Sequence, residues 1–213
     1  MLSSFTQHIG IFEMAPGVKN TDWQELKLST SSPGNDWNKA MEMFRKRVGR
    51  FLEPVKALMD SSDANVILFS GFAIMALDCL LIETLQSFRT GRPNPVKSFD
   101  RLSKKMIVDF LTQRASFKTY FDKLKAELFC DHFRNGILHQ GEVKSSGRIR
   151  IDSPEMVMPS EDSQSLIVNR WEFHKALIKE IENYITELIE GKDVELRENF
   201  IKKMNEICRI KAP

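Results

Sequence analysis

One short stretch of the sequence gathers side chains that can move protons and hold a negative charge. Residues 133–142 are FRNGILHQGE, which places Arg134, Asn135, His139 and Glu142 within nine positions. An imidazole serves as general base or general acid near neutral pH, and a guanidinium keeps its positive charge and binds phosphate oxygens. RNA cleavage by its own 2′-hydroxyl needs such a base, an acid for the 5′-oxygen, and positive charge beside the phosphorane.

The spacing of the two cationic side chains sets a geometric condition. At about 100° per residue, Arg134 and His139 lie about 140° apart on an ideal helix, whereas Asn135 and His139 share a face. For Arg134 and His139 to meet at one phosphate, the helix must loosen near Gly136, or a second chain must complete the site. One histidine cannot be base and acid in the same step, and a two-fold dimer would supply both.

The stretch resembles the signature of the HEPN superfamily (higher eukaryotes and prokaryotes nucleotide-binding). That signature is an Arg and a His separated by four to six residues, often with a polar residue directly after the Arg. Arg134, Asn135 and His139 match it with the four-residue spacing. FRNGILHQGE and the apolar MALDCLLIETLQSF at 75–88 also look like segments of bacterial HEPN proteins. The resemblance covers about residues 37–190.

The resemblance implies a metal-independent endoribonuclease that cleaves single-stranded RNA and leaves a 2′,3′-cyclic phosphate. Arg134, Asn135 and His139 would be its catalytic residues, in a homodimer with the motif at the interface. Toxin–antitoxin or phage-defence systems are the expected setting, with an antitoxin protein as a possible partner. A non-catalytic HEPN dimer that binds nucleotide or protein through the same cleft is the alternative. A helical adaptor unrelated to HEPN is a third interpretation.

Two acidic residues on an otherwise apolar helix are candidate supporting residues. A charge there is costly unless it is paired, so we expect Asp78 or Glu83 to reach Arg134 or His139. A structural ion pair, or a solvent-facing Glu83, is the other interpretation. Three further polar residues near the motif are weaker supporting candidates, each also compatible with an ordinary surface position: His132, Gln140 and Glu142.

Several other classes of site lack their signatures, so no cofactor and no metal ion are expected. The chain has no H-E-x-x-H, phosphate-binding loop or nucleophile elbow. His132 and His139 are seven residues apart, about 10 Å along a helix, too far for one ion to bridge unaided. His8 and His174 receive no role. The three cysteines are far apart, which favours a reducing cytoplasm over a disulfide framework, and the first residues do not resemble a secretory signal.

Hydrophobic periodicity predicts an all-α fold, an antiparallel bundle of four or more helices. Residues 1–36 are predicted as an irregular arm, and 37–213 as the helical domain, with a small β-hairpin around 147–169 and amphipathic helices to the end. Four helices are predicted before the hairpin. The first is 37–59, which Pro54 kinks or ends early, and the second is capped by 61–63 and reaches about Phe88. The third is 97–113, and the fourth runs from 116 towards 137.

Two segments bear on partners. Residues 64–82 are almost wholly apolar and just long enough to span a membrane, but Asp78 favours a core helix over a membrane span. The 213-residue chain has a net charge of only +2, yet residues 89–125 hold ten Lys or Arg against three Asp. That segment could follow an RNA backbone, and a solvated helix face explains it equally well.

Overall fold

The computed structural model describes residues 10–92 and 99–210, which form a mostly helical bundle with 65% helix and 8% strand. The helices are α1 (Asn20–Leu26), α2 (Gly34–Met59), α3 (Ala64–Phe69), α4 (Gly71–Thr90), α5 (Phe99–Gln113), α6 (Lys123–Leu128), a π-helical turn π1 (Phe129–Arg134), α7 (Asn135–Gln140), α8 (Arg170–Glu190) and α9 (Val194–Ile207). The strands are β1 (Glu13–Ala15), β2 (Val18–Lys19), β3 (Arg148–Arg150), β4 (Val157–Pro159) and β5 (Leu166–Asn169). The predicted helical bundle is confirmed at this level.

Helix α4 lies at the centre of the bundle and positions the candidate site. It packs against α2, α5, α8 and α9, and its buried side chains include Met75, Cys79, Ile82 and Phe88. Within the described residues it alone is long and apolar enough to cross a membrane, and 61% of its apolar window is buried inside the protein. Neighbouring helices cover most of its surface, which explains its composition and agrees with the predicted core helix.

The helix predicted from the cap at 61–63 to about Phe88 is two helices. Asp63 caps α3 as predicted, since its Oδ1 accepts a hydrogen bond from a backbone N–H two residues on at 2.8 Å. The break before Gly71 leaves the Ile67 carbonyl available, and the guanidinium of Arg170 donates a hydrogen bond to it. A Cβ at Gly71 would lie 2.7 Å from Arg170 Nη1, so a larger residue there would make the guanidinium shift.

Helix α2 continues past Pro54, which was expected to kink it or end it early. Pro54 lies inside the helix, which begins at Gly34 and continues to Met59. The proline removes one backbone donor, but Val48 and Val55 remain fully packed in the core on either side of it. Packing of the apolar face therefore outweighs the lost hydrogen bond.

The described part of the predicted N-terminal arm, residues 10–36, is more regular than expected. Strands β1 and β2 form an antiparallel hairpin, and α1 follows directly. Trp23 of α1 is 3% exposed, donates from Nε1 to Asn205 Oδ1 at 2.8 Å, and meets the ring of Phe200 edge-on. The burial of this ring fixes the segment against α9.

The predicted hairpin around 147–169 is a three-stranded sheet. Its central strand is β5, with antiparallel β4 on one side and parallel β3 on the other. The alternating Arg148–Arg150 segment therefore pairs with β5 in parallel register, Ile149 opposite Val168, and is not one arm of a hairpin. The segment that connects β3 to β4 in the sequence therefore crosses from one edge of β5 to the other.

The helix predicted from about Ser116 towards Ile137 begins later and is irregular. Turns occupy the residues before Asp122, which caps α6 by accepting a hydrogen bond from the Lys125 backbone N–H at 2.8 Å. The chain then passes through π1 into the short helix α7. The predicted start of the preceding helix at Lys97 lies outside the described residues, and α5 is described from Phe99.

Candidate functional site

The π-helical turn π1 lies immediately before the Arg–His motif and sets its geometry. The backbone N–H of Asn135 donates to the carbonyl of Cys130, five residues earlier, which is the π-helical pattern. The rings of Phe129 and Phe133 stack within this turn, with centroids 5.4 Å apart. The wide turn changes the helix phase before α7 starts, whereas α7 itself is α-helical from Asn135 to Gln140 with no break at Gly136.

Gly136 has a different role from the helix-loosening one predicted for it. It is buried within α7, and an added Cβ would lie 2.4 Å from the carbonyl oxygen of Glu142. The chain after α7 folds back here. The backbone N–H of Glu142 donates a hydrogen bond to the Gly136 carbonyl, and that of Lys144 donates to the carbonyl of His132. The glycine therefore allows the following loop to pack closely against the motif.

Arg134 is the buried centre of the site. Arg134 is 2% exposed, and its Nε donates a hydrogen bond to Glu83 Oε1 at 2.9 Å. Its Nη1 donates to Asn135 Oδ1 at 2.9 Å and lies 3.4 Å from His139 Nε2. A buried guanidinium is costly unless it is paired, and Glu83 on α4 compensates its charge. The structure thus brings Arg134, Asn135 and His139 together within one chain.

The contact between Arg134 and His139 defines the state of the imidazole. A guanidinium can only donate hydrogen bonds, so Nε2 of His139 accepts, and the proton of the neutral ring is on Nδ1. His139 is exposed at the surface, whereas Arg134 lies beneath it. The pair thus places an exposed imidazole, whose Nε2 faces Arg134, beside a fixed positive charge.

One of the two acidic residues on α4 reaches the site as expected, and the other does not. Glu83 pairs with Arg134, but Asp78 pairs with His174 of α8, with Oδ1 2.7 Å from Nδ1 and both residues buried. Asp78 is therefore a structural partner across the α4–α8 interface. Nothing in the sequence assigned His174 to it, because 96 positions separate the two.

The remaining supporting candidates lie outside the Arg134–His139 contact. His132 places Nδ1 3.0 Å from Ser165 Oγ, next to β5, and Gln140 and Glu142 are exposed. These residues are close to the motif in sequence but take no part in the contact between Arg134 and His139. The π turn and the return of the loop at Gly136 point neighbouring side chains in different directions. Ser165 has no signal in the sequence.

The thiols next to the site are inert. Burial raises the pKa of Cys79 well above its usual value and that of Cys130 to about 11, so both are protonated at neutral pH. Across residues 10–92 and 99–210, no cluster of three or more His, Cys, Asp or Glu side chains could hold a metal ion. The described groups that can transfer protons at this site are His139 and Glu83.

The basic segment 89–125 is partly neutralised by nearby carboxylates. Arg89 forms two hydrogen bonds with Glu187, and Lys104 lies 2.6 Å from Asp131 in π1. Lys105 pairs with Asp109 at 2.7 Å on the same helix. Glu187 and Asp131, which lie outside the segment, therefore compensate two of its ten Lys and Arg side chains, and Asp109 is one of the three Asp already counted within it.

The ionisation of Asp78 gives a first prediction. Burial raises its pKa above the usual 3.8, although His174 acts in the opposite direction. Its proton therefore stabilises the folded state, fully below the unfolded pKa and decreasingly as the pH rises through the folded one. We expect Asp78→Asn to remove this contribution, because the amide can still accept from His174. Urea unfolding between about pH 3 and pH 7 should show that the free energy of unfolding of the wild type decreases, relative to that of the variant, as the pH rises. A constant difference would contradict this.

These features define a mostly helical protein with a buried arginine–glutamate pair beneath an exposed histidine, carried by a π-helical turn. Comparison with protein-family models, curated proteins and solved structures finds no match for this chain. The HEPN family is therefore a proposal that depends on the motif and on the geometry above.

Proposed function

We propose that the protein is a metal-independent endoribonuclease of the HEPN type that cleaves single-stranded RNA by 2′-hydroxyl attack. The observation that supports this most directly is the 3.4 Å approach of Arg134 Nη1 to His139 Nε2 within one chain. It pairs an exposed imidazole with a fixed cation, the two kinds of group that the reaction requires. A toxin or phage-defence protein of the cytoplasm, restrained by an antitoxin protein, is the setting we propose.

In the proposed reaction, His139 Nε2 gives up its contact with Arg134 Nη1 and removes the 2′-hydroxyl proton as the 2′-oxygen attacks phosphorus and the P–O5′ bond breaks. The leaving 5′-oxygen takes a proton from a second acid, so one product begins with a 5′-hydroxyl. The other product ends in a 2′,3′-cyclic phosphate. Arg134 stabilises the phosphorane through its positive charge. Its Nε and Nη1 already bond Glu83 and Asn135, so it acts from beneath His139 and does not grip two phosphate oxygens in this conformation.

The second acid is proposed to be His139 of the partner subunit in a homodimer. Helices α3 and α4 expose large apolar side chains, Leu68 at 70%, Phe69 at 73%, Phe72 at 45% and Leu80 at 40%. Leu80 lies one helical turn before Glu83, so this apolar face runs towards the candidate site. We propose that a second copy covers it and so brings two motifs together.

This dimer gives a second prediction. A carboxylate on the apolar face would lose its solvation when a second copy binds, so Phe72→Asp should convert the dimer to a monomer and lower RNA cleavage with it. Light scattering after size-exclusion chromatography would measure the mass. Val194→Asp, at a residue 55% exposed at the start of α9, is the matched control and should stay dimeric. A wild-type monomer with full activity would refute the dimer.

The function itself is tested with the full chain and labelled single-stranded RNA in EDTA. Cleavage that leaves 2′,3′-cyclic phosphate ends is the expected result, because no step uses a metal ion. Cleavage only on addition of a divalent cation would exclude this mechanism.

A non-catalytic HEPN module that binds nucleotide or protein is the second candidate. The observation that favours it is the burial of Arg134, which is only 2% exposed and engaged by Glu83 and Asn135. The same assay separates the two, because this module would bind the labelled RNA or a partner and leave the RNA intact.

A further inference from the structure

A cavity of about 400 Å³ lies between α2, α4, α5 and α9, apart from the Arg134–His139 contact. Its wall is mainly apolar, with Phe51, Leu80, Phe88 and Met106 among the residues that line it. Glu83 also lines it, so the cavity borders the candidate site through α4. Clefts of this size between the helices of a bundle are typical of small-molecule sites.

Two polar side chains in this wall each have a buried atom with no hydrogen-bond partner among the residues that the structure describes. Ser103 of α5 is 4% exposed and its Oγ is unpartnered. Arg47 of α2 donates from Nη1 to the Met14 carbonyl at 2.9 Å, but its buried Nε has no acceptor. Buried polar groups are usually satisfied in folded proteins, so Ser103 and Arg47 keep unused hydrogen-bonding capacity in the residues that line this cavity.

The charges of the wall favour an anion. Arg47 and Lys203 line the cavity, and Glu83, the carboxylate among its described lining residues, is paired with Arg134. Lys203 bonds Glu206 at 2.7 Å, which leaves Arg47 as the cation in the wall with a buried donor unused. Burial, with a smaller effect of nearby Arg50, lowers the pKa of Arg47 to about 10, and a bound anion would reverse that shift.

We propose that this cavity binds a small amphipathic carboxylate. Its carboxylate oxygens accept hydrogen bonds from Arg47 and Ser103, and its apolar body packs against Phe51, Phe88 and Met106. A neutral or cationic amphiphile of the same length lacks the charged acceptor and binds less tightly. The proposal goes beyond the ribonuclease function and does not depend on it, because the groups that would bind the carboxylate, Arg47 and Ser103, have no part in the proposed cleavage.

Isothermal titration of the full chain with octanoate, and with octanol as the uncharged counterpart, tests this proposal. Octanoate should bind saturably at one site per chain and more tightly than octanol. Arg47→Met should weaken octanoate binding by about tenfold or more and leave octanol unchanged, because only the charged hydrogen bond is lost. Arg45→Met is the matched control: Arg45 lies on the same helix, pairs with Glu182 at the surface, and does not line the cavity.

Ser103 provides a second variant that does not depend on tolerance of Arg47→Met. Ser103→Ala removes an unpartnered hydroxyl, so the chain should fold with an unchanged thermal midpoint and bind octanoate more weakly. Ser103→Leu should fill part of the cavity and weaken both octanoate and octanol. The proposal is wrong if octanoate shows no saturable binding, if octanol binds equally well, or if Arg45→Met weakens binding as much as Arg47→Met.

Discussion

Replacement of His139 by Ala is expected to lower the rate of RNA cleavage by about 10²–10⁴-fold, the usual contribution of a general base or acid. His139 is exposed and its ring contact in the described structure is with Arg134, so its loss should leave the thermal midpoint nearly unchanged. Initial rates on labelled single-stranded RNA in EDTA measure the effect. A variant that folds and cleaves RNA at the wild-type rate would exclude His139 as the base.

His132 supplies the matched control for that experiment. It is the other histidine near the motif, but its imidazole contacts Ser165 and not Arg134. His132→Ala should therefore keep a cleavage rate within about threefold of wild type, as expected for a group outside the reacting atoms. Equal losses in the two variants would indicate a structural effect on the segment and would remove the support for a specific role of His139.

The sequence predicted those parts of the fold and site that depend on local pattern. The apolar composition around Met75 and Ile82 required a core helix, and α4 is that helix. The cost of a buried charge required a partner for the acids on α4, and Glu83 does pair with Arg134. Both arguments use a single rule, that apolar surface is buried and buried charge is paired.

What the sequence did not predict depends on distant contacts or on small energy differences. The pairing of Asp78 with His174 joins two helices that lie far apart in the chain. No residue type in the sequence marks the π turn before Asn135. The turn differs from an α-helix by a shifted backbone hydrogen bond, a small energy difference that a packing contact such as the stacking of Phe129 on Phe133 can offset. The parallel pairing of β3 with β5 likewise depends on the path of a loop, and alternation alone cannot distinguish it from a hairpin.

Replacement of Glu83 by Ala is expected to destabilise the fold by about 3–5 kcal/mol, because it leaves a buried guanidinium without a counter-charge. The Arg134 side chain is 3% exposed and that of Glu83 15%, so water cannot replace the lost carboxylate without local rearrangement. Urea unfolding at neutral pH measures the free energy. Glu182→Ala is the control, since it removes the carboxylate of an exposed pair with Arg45 and should cost about 0.2–1 kcal/mol.

The double variant Glu83→Leu/Arg134→Met distinguishes the cost of an unpaired charge from a general need for these side chains. Apolar groups of similar volume remove both charges, so the double variant should regain most of the stability that Glu83→Ala loses. It should nevertheless remain inactive on RNA, because no cation is left beside His139. Recovery of stability without activity would assign the Glu83 contact to holding Arg134 in place and the guanidinium itself to catalysis. A double variant as unstable as Glu83→Ala would contradict the charge-pairing argument.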